Sequence, residues 1–199
     1  MTRPAAPADD WDASASRFDD EPDHGLLDPL IRAAWRGLLV AALPPAPAVI
    51  ADLGCGTGSL SVLLAEEGYV VRGLDSSSAM LVVAAAKAEA AGVAVDWILA
   101  DASAPSLGDG SVDVVLCRHL LWALPDPADV VARWVRLLRP TGRLVLVEGF
   151  WHTGAGLRAE ETRALVLGSR SECDVYPLDN VLLWGGLVSD ERYLVTSLS

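Results

Sequence analysis

Apolar residues recur along this chain with two different periods, and the period predicts the type of each element. From Leu27 they return every three or four positions, which is the spacing of one helix face. The residues of this face are Leu27, Leu30, Ile31, Ala34, Trp35, Leu38 and Leu39. The proline-rich stretch from Pro44 to Pro47 cannot continue a helix and is expected to end it.

Beyond this helix, short apolar runs alternate with helical stripes. The runs predict strands at 48–53, 70–74, 94–100, 112–117 and 143–148. The stripes predict helices at 58–68, 77–91, 127–138 and near 156–168. Two closing strands are predicted within 175–199, around Leu182 to Gly186. Continuous apolar strands alternating with helices indicate an α/β fold with a buried parallel sheet and helices on both faces.

Length and charge narrow the classes of protein that fit. A chain of 199 residues with 52% hydrophobic positions can bury a proper core. We expect a flexible tail or lid at 1–25, disordered to about residue 10, and a single domain at 26–199. A net charge of −12 without a basic patch disfavours nucleic acid or an anionic membrane as a partner. The most apolar stretch, Leu38 to Ala51, is broken by prolines and too short for a membrane span.

Cysteine usage predicts a reducing, cytoplasmic setting. The three cysteines, Cys55, Cys117 and Cys173, are an odd number without metal-ligand spacing, so no metal site is predicted. Residues 1–25 do not have the charged-then-apolar pattern of a signal peptide. The sequence leaves open whether the chain is a monomer or a homodimer.

A turn after the first predicted strand carries the clearest chemistry. Three glycines, Gly54, Gly56 and Gly58, follow the strand at alternating positions. Glycine adopts positive φ and lets the backbone approach a ligand closely. The next helix begins with unpaired N–H groups at its positive dipole end. Asp75, after the second strand, can accept hydrogen bonds from a ribose diol, so we predict a nucleoside site.

The glycine spacing separates two kinds of nucleoside site. The dinucleotide fingerprint G-x-G-x-x-G would place its third glycine at Ser59, whereas the spacing here is G-x-G-x-G. The run from Asp52 to Gly58 resembles the signature loop of class I S-adenosylmethionine (SAM)-dependent methyltransferases. Further similar stretches are Leu74 to Leu81, Ala100 to Ala102, Asp113 to Leu116 and Leu137 to Leu144. Together they cover residues 48 to 150.

This resemblance implies a fold, a cofactor and an activity. The fold would be a three-layer Rossmann-like sandwich with a seven-stranded, mostly parallel sheet and an antiparallel C-terminal strand. The cofactor would be SAM, with S-adenosylhomocysteine (SAH) as product, and the acceptor a small molecule methylated on oxygen or nitrogen. The stretch Cys117 to Trp122 lacks the Asn/Asp-Pro-Pro-aromatic motif of many nucleic-acid methyltransferases. It resembles the small-molecule enzymes, whose acceptors include secondary metabolites.

The resemblance also implies which residues hold SAM. Asp52 would reach the methionine ammonium, Asp75 the ribose hydroxyls and Asp101 the adenine amino group. The full predicted set is Trp11, Phe18, Asp52, Gly54, Cys55, Gly56, Gly58, Asp75, Ser76, Met80, Asp101, Ala102 and Arg118. Each acid can instead cap a helix or open a turn, and Met80 or Trp11 can instead be a core residue.

Candidate catalytic bases are few because the chain has three histidines. His119 follows the fourth strand and His152 the fifth, and both are predicted as catalytic; His24 is a third candidate. Each can instead be a structural histidine. The tryptophans proposed as walls of an acceptor pocket, or alternatively as core residues, are Trp122, Trp151 and Trp184.

Two other functions remain open at this point. An NAD(P)-dependent reductase would share the ribose acid and the glycine turn, but the glycine spacing departs from its fingerprint and no Tyr-x-x-x-Lys pair is present. A non-catalytic SAM-binding subunit that supports a partner would carry the same cofactor loop, because a fold does not fix a function. Methyl transfer by the isolated chain would exclude this second alternative.

Overall fold

A seven-stranded sheet forms the middle layer of the computed structural model, which describes residues 8–198. The strand order is β3-β2-β1-β4-β5-β7-β6. The strands are β1 (Val49–Leu53), β2 (Val70–Asp75), β3 (Asp96–Leu99), β4 (Val112–Arg118), β5 (Leu138–Phe150), β6 (Asp174–Pro177) and β7 (Glu191–Ser197). Strands β1 to β5 pair in parallel, and β7 is antiparallel to both of its neighbours. The predicted fold class is therefore confirmed.

Helices cover both faces of this sheet. They are α1 (Ala8–Ser14), α2 (Pro22–Gly25), α3 (Pro29–Ala42), α4 (Ser59–Glu66), α5 (Ser78–Ala91), α6 (Pro127–Leu137) and α7 (Ala159–Leu167). Short 3-10 turns lie at Ala15–Asp20, Leu121–Ala123 and Val181–Leu183. Within the described part of the chain, none of the helices has both the length and the apolar character needed to cross a membrane.

The N-terminal segment (residues 8–25) is helical where the sequence predicts a flexible tail or lid. It consists of α1, a 3-10 turn and α2, and it packs against α5. Residues 1–7, most of the expected disordered tail, lie outside the described residues. A lid function of this segment and a domain boundary at residues 25 and 26 stay predictions.

The alternation of side chains along each strand divides the core into two halves. Ile50 of β1 and Leu116 of β4 face one half, which is completed by α3 and α4. Leu53 of β1 and Cys117 of β4 face the other half, where Trp134 of α6 is fully buried. Because the strands are buried on both sides, their sequences are continuous apolar runs rather than alternating ones.

The strand order sets the position of a crevice. The chain passes from β1 to β2 and β3 on one side, and then returns to place β4 on the other side of β1. At this reversal of direction, the connections after β1 and β4 leave towards opposite faces of the sheet. The carboxyl ends of β1 and β4, at Leu53 and Arg118, therefore border a natural ligand-binding crevice.

Trp134 provides a test of the core beneath this crevice. Its indole N–H donates to the Ala102 carbonyl at 2.7 Å. Trp134→Phe keeps a ring but leaves this buried carbonyl without its donor, so we expect a loss of about 1–3 kcal/mol in the free energy of unfolding. Urea unfolding monitored by circular dichroism measures it. Arg136→Ala, on the exposed face of the same helix, should change it by less than about 0.5 kcal/mol; equal losses would contradict the assignment.

Candidate active site

The turn after β1 requires glycine at each of its three alternating positions. Gly54, Gly56 and Gly58 have φ values of 73°, 55° and 74°, in the left-handed region that favours glycine. A Cβ atom on Gly54 would collide with Leu120, and one on Gly58 would lie 2.6 Å from the ring of Trp97. The glycines thus permit both the backbone path and the close packing around it.

The carboxylate of Asp75 holds this turn in place. Its Oδ2 accepts a hydrogen bond from the Gly56 amide at 2.8 Å, and its Oδ1 accepts one from the Ser77 amide at 2.9 Å. The amides of Gly54 and Cys55 donate to the Leu74 carbonyl at 2.8 and 2.9 Å. Burial raises the pKa of Asp75, although the backbone donors oppose this effect. One side chain thus connects the ends of β1 and β2.

An open cavity lies at this edge of the sheet, between the loops that follow β1, β2 and β4. The sequence-predicted residues that line it are Trp11, Phe18, His24, Asp52, Gly54, Cys55, Gly56, Asp75, Ser76, Met80, Asp101, Ala102, Arg118 and His119. The lining residues that sequence reasoning missed are Thr57, Ser59, Leu60, Leu120 and Leu124. They lie in the stretches after β1 and after β4 that also hold predicted site residues, and this proximity in sequence could have identified them.

Two predicted site residues do not line the cavity. Gly58 packs against Trp97 and Ala84, so it supports the turn from behind. The side chain of His152 is 79% exposed and lies 3.4 Å from Asp190. Because β5 continues to Phe150 in its pairing with β7, the chain carries His152 beyond the cavity. The structure therefore does not support a catalytic role for His152.

His119, by contrast, is held inside the cavity wall. It adopts a left-handed conformation, with φ of 57°, directly after β4, which is uncommon for a residue with a side chain. Its ring stacks on Trp184, with centroids 5.8 Å apart, and meets Trp151 edge-on at 5.3 Å. Burial first, and then the charge of Arg118, lowers the pKa of His119 well below its usual value. The imidazole is therefore neutral at physiological pH.

The three tryptophans predicted as possible acceptor walls do not line the cavity. Trp184 is a core residue whose indole donates to the Leu178 carbonyl at 2.9 Å. Trp122 and Trp151 pack against each other, with ring centroids 5.4 Å apart. Trp151 and Trp184 instead fix the ring of His119, so their effect on the site is indirect.

Glu148 is a buried carboxyl group that organises the loop after β4. Its Oε1 accepts hydrogen bonds from the amides of Leu120 and Leu121 at 3.0 and 2.8 Å. Burial raises its pKa to about 8. In the sequence, Glu148 stands out as an acid near the end of an apolar strand. The sequence does not show that its partners are the amides of Leu120 and Leu121. Glu148 thereby positions the residues that follow His119.

The N-terminal segment is anchored across the cavity by acidic side chains. Asp12 accepts hydrogen bonds from Ser77 Oγ at 2.5 Å, next to the start of α5. Asp19 accepts one from Thr57 Oγ1 at 2.5 Å and forms an ion pair with Lys87 at 2.8 Å. These contacts place the rings of Trp11, Phe18 and His24 in the wall of the cavity.

Two charged groups, the half-buried Arg118 and the buried Asp52, lie at the centre of the crevice. Arg118 donates through Nη1 to the Asp23 carbonyl, and its guanidinium lies 5.0 Å from the ring centroid of Trp35. Asp52 accepts a hydrogen bond from Ser61 Oγ at 2.6 Å. Burial raises the pKa of Asp52 to about 6, and the hydrogen bond from Ser61 and the charge of Arg118 limit the rise.

Comparison with known proteins places this site in a family. Residues 51–146 match the family described as "Methyltransferase domain". A ubiquinone biosynthesis O-methyltransferase from Ralstonia nicotianae is 40% identical over 136 residues, covering 67% of this chain and 53% of that protein. A demethylmenaquinone methyltransferase from Thermus thermophilus is 37% identical over 134 residues, covering 64% and 61%. The chain thus spans little more than half the length of these relatives.

The crystal structure of the [4+2]-cyclase SpnF superposes with a TM-score of 0.74 at 15% identity, over 100% of this chain and 97% of that one. At this identity the likeness shows the fold alone. The family match makes residues 51–146 a methyltransferase domain, and the fold agrees with that of the class I SAM-dependent methyltransferases, as predicted. The reductase alternative is not favoured.

SAM is the cofactor of this family, as the sequence predicted, and the residues present fit it. A Cβ on Gly56 would enter the cavity and lie 3.4 Å from the ring of Phe18, so glycine leaves the space that a ligand needs. Carboxylates that can accept from hydroxyl, ammonium and amino groups surround this space, namely those of Asp52, Asp75 and Asp101.

Glu148 predicts a pH dependence of stability. Because its pKa is raised in the folded protein, the folded state binds more protons than the unfolded state between about pH 4.5 and 8. This group therefore lowers stability as the pH rises through that window. Glu148→Gln keeps an acceptor for both amides and removes the titration. We expect the variant to gain at least about 1 kcal/mol over the wild type between pH 5 and 8.

Urea unfolding of both proteins across this pH range measures the gain. Glu89→Gln, at an exposed position of α5, should follow the wild-type profile and serves as the control. Parallel profiles for wild type and Glu148→Gln would show that the carboxyl group is ionised in the folded protein throughout.

Proposed function

We propose that this chain transfers a methyl group from SAM to the hydroxyl oxygen of a small, phenol-like acceptor. The observation that carries the proposal is the meeting of two sets of residues in one cavity. The glycine turn with Asp75 forms one wall, and His24 and His119 form another. A nucleoside site therefore adjoins two imidazoles that can act on a bound acceptor.

The cofactor residues have distinct roles in this proposal. Asp75 accepts hydrogen bonds from the ribose hydroxyls, and Asp52 binds the methionine ammonium. Asp101 accepts from the adenine amino group, while Met80 packs on the adenine face. The rings of Trp11 and Phe18 lie near the sulfonium, where cation–π attraction contributes about 0.5–2 kcal/mol. The N-terminal segment closes over the bound cofactor and excludes water.

Alignment supplies most of the rate enhancement in this mechanism. Bound SAM supplies a methyl group on a sulfonium, which is already activated for in-line displacement. The chain must hold the acceptor oxygen on the sulfur–methyl axis, and such orientation contributes up to about 7–11 kcal/mol. The side chains of Leu60, Leu120 and Leu124 offer apolar contacts to an aromatic acceptor.

His119 is the proposed general base. Its Nε2 is buried without a hydrogen-bond partner among the described residues, so it is free to accept a proton from an acceptor hydroxyl. The neutral imidazole has the protonation state that a base requires. The name of the Ralstonia nicotianae relative, a ubiquinone biosynthesis O-methyltransferase, supports oxygen rather than nitrogen as the acceptor atom.

The test combines binding and turnover. Calorimetric titration of the isolated chain with SAH should show micromolar binding, while NADH should not bind. In a separate experiment, the isolated chain is incubated with SAM and panels of phenols and amines, and methylated products are identified by mass spectrometry. Methylated phenols support the proposal. Methylated amines alone would overturn the choice of oxygen, and SAH binding without any product would favour the non-catalytic alternative.

Asp75→Asn tests the ribose contact. The amide retains the shape of the side chain but no longer accepts two hydrogen bonds as a charged group, so SAH affinity should fall by about 1–3 kcal/mol, or 5- to 150-fold. Calorimetry measures this change. Asp96→Asn, at the exposed start of β3 on the opposite edge of the sheet, is the matched control and should bind SAH like the wild type. Unchanged affinity in Asp75→Asn would refute the ribose assignment.

His119→Gln separates catalysis from cofactor binding. The variant cannot accept a proton at the position of Nε2, so the turnover number should fall by about 10²–10⁴-fold while SAH affinity stays within about tenfold. His152→Gln removes an exposed imidazole outside the cavity and should keep wild-type turnover. Wild-type turnover in His119→Gln would leave alignment alone as the source of the rate.

A further inference from the structure

Three side chains of types that can ligate a metal, from two distant parts of the sequence, meet beside the cofactor cavity. Asp23 and His24 lie in α2, and His119 follows β4. One ligand atom from each lies within 4.8 Å of the other two. Ligands bound at about 2.1 Å from a tetrahedral ion are about 3.4 Å apart, so side-chain shifts of about 1 Å would complete a site.

The ring nitrogens of the two histidines differ in their surroundings. Nε2 of His119 is buried and has no hydrogen-bond partner among residues 8–198, and Nε2 of His24 lies 3.9 Å from a carboxylate oxygen of Asp23. Buried polar atoms are normally satisfied by protein, water or an ion. Nε2 of His119 is therefore available to a ligand at this cluster.

Aromatic packing holds both imidazoles in fixed orientations. The ring of His24 stacks on Phe18 with centroids 4.3 Å apart and an angle of 14° between the planes. The ring of His119 is enclosed by Trp151 and Trp184. The packing therefore holds both rings in place before a metal ion binds.

Both positive and negative side chains surround the cluster, so their charges do not prevent a cation from binding. Arg118 and Arg192 both act on His119 and oppose an added positive charge. However, Arg118 lies close to three carboxylates, those of Asp19, Asp23 and Asp52. Asp23 itself would supply a negative ligand. The acidic neighbours therefore offset the two guanidinium groups around the cluster.

We propose that Asp23, His24 and His119 bind one divalent transition-metal ion of the Zn²⁺, Co²⁺ or Ni²⁺ type. Two imidazoles and one carboxylate suit these ions, whereas Mg²⁺ and Ca²⁺ prefer oxygen ligands alone. Three protein ligands leave at least one coordination position open, as catalytic metal sites do. Since His24 and His119 line the cavity, this position is accessible to a ligand there.

The open position suggests a role that rests on the proposed function. A phenolic oxygen bound to the ion would release its proton to solvent water more readily and would be oriented beside the methyl donor. In the metal-loaded protein, His119 would then position the acceptor through the ion instead of accepting its proton. Metal binding itself can be tested without any methyl acceptor, so the two proposals can fail separately.

The first experiment measures binding by the whole chain, purified without a histidine tag and stripped with a chelator. Calorimetry with Zn²⁺ should give one equivalent bound, and Mg²⁺ at the same concentration should give none. The Co²⁺-loaded protein should show visible d–d bands of nitrogen and oxygen coordination. Strong thiolate-to-cobalt charge-transfer bands would assign the ion to a cysteine and overturn the proposal, as would the absence of a stoichiometric site.

Variants then locate the ion. His24→Ala, His119→Ala and Asp23→Asn should each lower Zn²⁺ affinity by at least about 10–100-fold, the loss seen even for outer residues of metal sites. His152→Ala removes the remaining histidine of the chain and should bind Zn²⁺ like the wild type. A circular dichroism spectrum like that of the wild type shows that a variant is folded. Loss of Zn²⁺ binding only in His152→Ala would place the ion at the surface and refute the proposal.

Discussion

The hydrogen bond from the Gly56 amide to the Asp75 carboxylate, 2.8 Å long, is the interaction on which the site depends. It fixes the glycine turn after β1 to the end of β2. The turn has a left-handed backbone conformation that glycine adopts more easily than any other residue. The same carboxylate binds the Ser77 amide at the start of α5. Removing this group would therefore disturb the turn, the helix start and the ligand cavity together.

The opposite wall of the cavity uses buried polar groups in a similar way. Glu148 fixes the loop after β4 through the amides of Leu120 and Leu121, and the left-handed residue His119 begins this loop. Burying a carboxyl group of this kind costs stability, which is why its pKa rises to about 8. Such a cost is typical of functional sites, where geometry takes precedence over stability.

The N-terminal segment completes the site and is held there by its acidic side chains, which bind polar and basic groups of the rest of the chain. Asp19 binds Thr57 of the glycine turn and Lys87 of α5, so the segment is held by the same elements that form the cavity. These contacts are partly buried, so solvent and salt screen them less than they screen surface ion pairs. The segment also brings His24 beside His119.

The sequence by itself determined the features that depend on local geometry. The two apolar periods predicted the strands and helices, and the spacing of Gly54, Gly56 and Gly58 predicted the turn, because both follow from backbone conformation within a few residues. The family followed from the resemblance of this loop and of the later stretches to the methyltransferase motifs. Only the tertiary structure decided which side chains share the cavity. The contact from Arg118 to the Asp23 carbonyl joins residues 95 positions apart, and it brings α2 to the end of β4. His152 resembled His119 in the sequence, yet the extended β5 carries it to the surface. Distances and burial of this kind arise from packing over the whole chain, and no local pattern encodes them.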